Sequence, residues 1–468
     1  MSGYALKMNA ITFRTQVSVP EAVDVPSNAA CLESYLFERG RVLRLMLAFA
    51  RKIVTSELLD KFGERWPETN AVECWKKEIQ DSGSRSLHAG AFSLWRFDAR
   101  IDAAKNSRMR DDFMALLSAE PEFDTVTSIA YTGSNWERMK FERDLSEEEM
   151  QQRWAGSDFS TYTNDCREVE TGRLIYTKDT QRKILEWRPD LWWIPESSAL
   201  TQVEQFIVTT HPTIEFTMRG GEYIRKRSFS AAATAIRFLE QMPSKQQACV
   251  RKLIVEEDHP SIPSPHTHAR GFIAHCLENP QLQVERKLNI WPAVFVPKGT
   301  ERYISTQDFL CEMCEWIREV KELRSAGMPD GSFALTIRGP TPEFSQHLCD
   351  LVTEAVTWQR ATEALYRAEG AKLLPRYRVC EDFVELIDDV VLERIPVSFE
   401  GDLNKQGYDE ATILRQHHGT WPRTFEYAFG EHALWEPENG WEDAREACIV
   451  EIDPADRLEW WNSLVDAM

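Results

Sequence analysis

A chain of 468 residues is longer than one hydrophobic core usually supports, and its 43% hydrophobic and 28% charged residues are the balance of two or three packed units, which excludes a wholly disordered chain. No stretch approaches the roughly 20 apolar residues of a membrane span. The net charge of −20 sets up a field that repels nucleic-acid backbone and anionic lipid.

Residues 1–25 are polar and read as a loosely held N-terminus without the apolar segment or cleavage site of a secretory leader. Residues 26–141 form an N-terminal helical or α+β unit. Leu36, Val42, Leu45, Leu47 and Phe49 recur at helical spacing there, followed by Leu58, Leu59 and Phe62. Residues 142–200 are a charged connecting excursion, with the run ERDLSEEEMQQRWAGSDFSTYTNDCREVETG at its start.

Residues 201–380 read as a central α/β unit in which helix and strand alternate. A helix from Ser228 to Met242 stops at Pro243, and Val250 to Val255 is the strand after it. A second helical piece, Ala269 to Leu277, ends near Asn279-Pro280, and the next strand is placed over Leu288 to Val296. Ser305 and Asp308 have capping-box spacing before a helix with Phe309, Leu310, Met313, Trp316, Ile317, Val320 and Leu323 on one stripe. Gly327 and Pro329 end that helix, and Ser332 to Arg338 is a strand. Thr341 then caps a helix with Pro342 at its first position, running to about Gly370.

Residues 381–468 form an acidic C-terminal unit expected to pack on the centre. Twenty-two acidic and six basic residues leave it at −16, so this segment holds most of the excess negative charge. Its last helix starts at Asp453-Pro454 and points Leu458, Trp461, Leu464 and Val465 inward.

These elements predict a helix-rich α/β fold of irregular helix–strand units, each about 25–50 residues long. Both a layered α/β domain and a degenerate leucine-rich-repeat-like solenoid satisfy that pattern. Two runs, AAATAIRFLEQMPSKQQACVRKLIVEEDH and HARGFIAHCLENPQLQVERKLNIW, resemble large fungal families with an F-box-like N-terminal element and a degenerate helix–strand body. The resemblance covers residues 205–300 and implies a protein-binding adaptor. An F-box would begin with Leu-Pro-x-Glu; the nearest segment here is Val19-Pro20-Glu21-Ala22, without the following helix pattern.

Several chemistries have no motif in the chain. Gly-x-Gly-x-x-Gly, the Walker loop, the Gly-x-Ser-x-Gly elbow and His-Glu-x-x-His are all absent. The densest ligand-like group is His259, His266, His268, His275 and Cys276, with Cys311 and Cys314 further on. His266 and His268, read on a strand, share a face and with Cys276 are the candidate metal ligands. The Cys311/Cys314 pair instead sits inside an amphipathic helix, Cys314 beside the apolar stripe and Cys311 toward the polar side. That is not the turn of a zinc knuckle or the helix N-terminus of a redox pair.

His417-His418 reads as loop, and the carboxylates Glu381, Asp382, Asp388 and Asp389 read as a charged helix face. The basic residues Arg225-Lys226-Arg227, Lys245, Arg251-Lys252 and Arg286-Lys287 are possible mates for the acidic C-terminus. The neighbours Trp192-Trp193 and Trp460-Trp461 cannot both centre on one buried helical stripe, so they are candidate partner-binding residues. Ten scattered cysteines with apolar neighbours, and no Asn-x-Ser/Thr sequon, predict reduced thiols in cytoplasm or nucleus.

No catalytic residue and no cofactor is assigned. The leading reading is a non-enzymatic intracellular adaptor with a protein partner, for which the acidic charge suits a basic one, and neither nucleic acid nor membrane. The alternatives are an enzyme with a noncanonical or metal-dependent site near His266, His268 and Cys276, and a toxin- or effector-like protein.

Overall fold

The computed structural model describes residues 11–14, 16–17, 28–50, 53–67, 72–73, 75–76, 103–128, 178–207, 214–216, 222–225, 228–259, 261–295, 304–368, 378–403, 411, 415, 434–435 and 449–451. They divide into two units. One is drawn from Met1–Ala30, Asp190–Ile194 and Thr213–Met468, the other from Cys31–Pro189 and Pro195–Pro212. No helix among the described residues is long and apolar enough to cross a membrane.

The second unit is helical: α1 (Asn28–Ala50), α2 (Ser56–Arg65), α3 (Ala103–Ser118), α4 (Phe123–Ser128), α5 (Lys178–Glu186) and α6 (Ser197–Glu204). The Thr55 hydroxyl accepts from Leu58 N at 3.2 Å and so starts α2. Leu58, Leu59 and Phe62 then turn inward. Phe62 meets Phe113 edge-on at 5.0 Å and stacks on Trp75 at 6.4 Å, the geometries that aromatic quadrupoles favour. Arg39 on α1 pairs with Asp111 on α3 at 2.7 Å, and the Tyr35 hydroxyl donates to Glu204 on α6 at 2.7 Å.

The first unit is built on a five-stranded sheet: β1 (Ile11–Arg14), β2 (Lys252–Glu257), β3 (Gln283–Asn289), β4 (Phe333–Arg338) and β5 (Val397–Phe399). Every pair is parallel, and the spatial order is the chain order. Parallel neighbours need crossovers, supplied by α7 (Ala231–Gln241), α8 (Ser244–Gln247), a 3-10 segment (Pro265–Phe272) running into α9 (Ile273–Glu278), α10 (Thr306–Leu323), α11 (Pro342–Ala368) and α12 (Phe383–Val391). The helix-rich α/β class expected from the alternation is the class observed. A three-stranded antiparallel sheet joins Ile214–Phe216, Glu222–Arg225 and Ile449–Glu451.

One face of the parallel sheet makes the core. Leu253 and Val255, Val284 and Leu288, Phe333, Leu335 and Ile337, and Val397 cluster with Ile236 and Leu239 of α7, Phe309, Met313 and Ile317 of α10, and Phe383 and Leu386 of α12. The other face alternates out of this cluster, as strand periodicity demands. The α10 stripe is buried as its spacing predicts. Gly327 follows α10 at φ +103°, a left-handed value that frees Met328 N to reach Leu323 O at 2.9 Å and closes the helix. Phe344 N donates to Thr341 Oγ1 at 3.2 Å, the cap expected for α11.

Four boundaries differ from those expected. β2 spans Lys252–Glu257, two residues later than the expected Val250 to Val255. The α7 helix starts at Ala231, because Ser230 is its cap and Ser228–Phe229 is a short strand. The helical piece expected from Ala269 begins at Pro265 as a 3-10 turn. β3 occupies Gln283–Asn289, five residues before the expected start at Leu288. Its alternation Val284, Arg286, Leu288 puts a cation at an inward position and so disguises a strand, whereas the apolar run after it, Trp291–Phe295, is a π-helical turn.

Candidate interaction surface

The buried face of the sheet carries charge, and the surroundings account for it. Glu257 ends β2 and accepts from the first amides of α7, Ala231 N at 3.0 Å and Ala232 N at 3.2 Å. A carboxylate at a helix N-terminus satisfies orphan donors and meets the positive end of the helix dipole. Arg286 from β3 clamps the same carboxylate, Nη2 at 2.6 Å and Nε at 3.1 Å, with both side chains 1% exposed. Its other donors go to Pro265 O at 2.8 Å and His266 O at 3.4 Å, and its guanidinium lies 4.5 Å from the Trp316 ring centroid. Each group in this ion pair is spent on fixing the 3-10 segment and α7 against the sheet.

The candidate metal ligands lie on that 3-10 segment and on α9, not on a strand. His268 is buried. Its Nε2 contacts Pro263 O at 2.7 Å, and a carbonyl only accepts, so this nitrogen carries the proton; Nδ1 faces Ser230 Oγ at 2.5 Å. Ser230 in turn accepts from Ala233 N at 2.9 Å as the α7 cap. Burial first, then Arg286, lowers the His268 pKa to about 3. His266 packs edge-on against Trp316 at 6.2 Å; its Nε2 is sealed from solvent without a hydrogen-bond partner, and burial again lowers its pKa to about 3. Cys276 is fully buried, and burial raises its thiol to about 11. Among the described residues no group of three or more His, Cys, Asp or Glu has the geometry to hold a metal ion.

Trp192 and Trp193 are half-buried, and Trp192 packs on the core where Gly271 leaves room: a Cβ there would come within 2.9 Å of its ring and 2.4 Å of Ile236. Asp388 pairs with Arg360, and Asp389 with Lys321 at 2.9 Å and Arg394 at 3.1 Å, which makes these carboxylates cross-links of α12. Trp460, Trp461, His417, His418 and the helix expected from Asp453 lie outside the described residues.

Cys311 and Cys314 sit on α10 as expected, Cys311 half-buried and Cys314 fully buried. The residue that sequence reasoning did not connect with them is Cys380, 66 positions after Cys314 and just ahead of α12. The Cys311 thiol donates to Val379 O at 2.8 Å, one residue before Cys380, and the Cys380 thiol donates to Asp382 Oδ1 at 3.4 Å. Arg318 Nη2 faces that sulfur at 3.8 Å while forming a bidentate pair with Asp382, at 2.6 and 2.9 Å. Gln359 on α11 fixes the backbone at this point, accepting from Val379 N at 2.9 Å and donating to Cys380 O at 2.9 Å.

The face of the sheet turned away from this core, which we call the open face because none of the core helices named above packs on it, has a different composition. Register aligns Ile254, Glu285 and Ala334 in one row, and Glu256, Lys287, Thr336 and Ser398 in the next, with Arg338 beside Asn289 beyond. Lys252 reaches Glu285 at 2.5 Å, Lys287 reaches it at 3.4 Å, and Arg338 lies 3.8 Å from Glu256. The Lys252 hydrogen bond, then Lys287, lowers the Glu285 pKa. Side-chain exposures are 27–40% for Lys252, Glu285, Lys287 and Arg338 but 14% for Glu256, and Asn289 Oδ1 is sealed from solvent, so this face is partly exposed. A cavity of about 110 Å³, lined by residues including Gln247, His275 and Asn279, is well below the roughly 300–1,000 Å³ of small-molecule sites. No family model, curated protein or solved structure matches the chain.

Proposed function

We propose that this chain is a non-enzymatic adaptor that docks a protein partner on the open face of its parallel sheet. The observation that supports the reading is the asymmetry of the sheet: the described helices pack on one face, while rows of partly exposed polar side chains cross the other. Parallel sheets in layered α/β enzymes are covered on both faces. A sheet whose strands follow in chain order with one open face is also what a leucine-rich-repeat-like stack would present. Net charge of −20, with −16 of it in residues 381–468, favours a basic partner by speeding its encounter more than by tightening the complex. Seven free cysteines among the described residues support a reducing compartment, cytoplasm or nucleus.

The test is affinity capture with the full chain and two variants. Ala334→Trp places a bulky, strand-compatible side chain at an exposed position of the open face. Lys245→Glu alters an exposed site on α8 rather than on a strand of the sheet. The reading expects proteins bound by the wild type and by Lys245→Glu to be lost with Ala334→Trp, and their association to slow as salt rises. Equal binding by all three would overturn it.

A further inference from the structure

We propose that the amino-terminal end of the parallel sheet is a second docking surface, one that takes a basic amphipathic helix of a protein partner. In a parallel sheet every helix-to-strand turn falls at the same end, so the turns entering β3 and β5 share it. Each of those turns carries the same dipeptide, Leu277-Glu278 at the end of α9 and Leu392-Glu393 at the end of α12. Leu277 is 59% and Leu392 56% exposed, and Val391 beside it is exposed as well. Among the described residues of this unit no other large apolar side chain is exposed.

The backbone holds both leucines in place. α12 closes with Glu393 N on Val390 O at 3.0 Å and Arg394 N on Asp389 O at 2.8 Å, around Glu393 at φ +52°. Glycine is the usual residue at that left-handed position, and an apolar contact usually accompanies the two bonds. Here the ion pair of Arg394 with Asp389 at 3.1 Å stands in for that contact, and Leu392 is left to solvent. Glu393 also sets a negative charge at the negative end of the helix dipole. At the end of α9, Asn279 anchors the turn by donating from Nδ2 to Gln247 O at 3.0 Å and Val250 O at 2.8 Å.

Charge chooses the occupant. Among the described residues neither the Glu278 nor the Glu393 carboxylate has a hydrogen bond or ion pair, and both residues are exposed. Burial lowers the pKa of His275, the titratable neighbour of Glu278, so that imidazole is neutral at pH 7. Two unpaired carboxylates, each next to an exposed leucine, match cations flanking apolar side chains, which is what a basic amphipathic helix presents. β3 and β5 lie two strand spacings apart, about 10 Å, close to the length of about two helical turns. Anchored turns also spare the complex part of its ordering cost.

The test uses the full chain and a fluorescein-labelled helical peptide with leucines on one face and lysines on the other, read by anisotropy. Leu277→Ser combined with Leu392→Ser should weaken binding about tenfold or more. Its melting temperature should stay unchanged, since both positions are exposed. Glu278→Gln combined with Glu393→Gln should slow association and flatten its dependence on salt. Glu343→Gln combined with Glu400→Gln removes the same charge from exposed sites at the opposite end of the sheet, and should leave binding within about twofold of wild type. Ala334→Trp should do the same, which separates this surface from the open face. Unchanged binding in the leucine variant would overturn the proposal, as would an equal loss in the Glu343 and Glu400 variant or with Ala334→Trp.

Discussion

Arg286 and Lys287 are neighbours on β3, and each faces a glutamate, yet they belong to two different environments. Strand alternation sends Arg286 into the core, where it and Glu257 are each 1% exposed, and Lys287 onto the open face beside a half-exposed Glu285. The inner pair has lost its water and is compensated by the two α7 amides, by the carbonyls of Pro265 and His266 and by the Trp316 ring. The outer pair keeps much of its hydration and is screened by salt. One residue along a strand thus separates a charge that the fold requires from a charge that the fold only displays.

Removing each cation in turn measures that difference. Arg286→Ala strands Glu257 in the core and should cost about 3–5 kcal/mol of unfolding free energy, read from denaturant melts. A smaller loss would mean that the α7 amides alone support the carboxylate. Acid comes next in size. His266 and His268 are depressed from 6.5 to about 3 by burial, so their stabilisation is fully present above pH 6.5 and is lost progressively as pH falls from there toward 3. By pH 5.5 each should withdraw about 1 kcal/mol relative to pH 7.5. The open face contributes little over that interval, since Glu285 is a depressed carboxylate whose stabilisation fades only below its ordinary value of 4.5. A stability unchanged between pH 7.5 and 5.5 would contradict the buried neutral imidazoles. Lys287→Ala should have the smallest effect, roughly 0–1 kcal/mol and declining with added salt; a cost near that of Arg286→Ala would erase the distinction between the faces.

The parts of the fold that were legible in the sequence are those in which burial and apolarity coincide. The α10 stripe and the Thr341-Pro342 start of α11 announce themselves because their inward positions are hydrophobic and their ends carry cap residues. β3 was misplaced because Arg286 occupies an inward position, and nothing local in the sequence shows that Glu257 awaits it 29 residues earlier. His266 and His268 suggested a strand by their spacing of two, but Ser264 adopts φ +44° ahead of Pro265 and turns the chain into a 3-10 segment. The helical setting of Cys311 and Cys314 could be read from periodicity. The contact of Cys311 with Val379, beside Cys380, could not, since α11 and its flanking turns intervene and only the tertiary fold closes that distance.

The strand order has a consequence for biosynthesis. β2 to β5 leave the ribosome in the sequence in which they pair, so each can add to a sheet already begun. β1 is the exception: roughly 240 residues separate it from β2, which at about 5–20 residues per second is a wait on the order of 10–50 s. During that wait the helical unit is translated in full between the two strands, and the sheet has no second strand to grow on. β1 then faces a long loop closure, although its entropic cost rises only slowly with length. Until β1 docks, β2 stands as a bare edge, with Lys252 and Glu256 as the charges that discourage another nascent chain from pairing with it first.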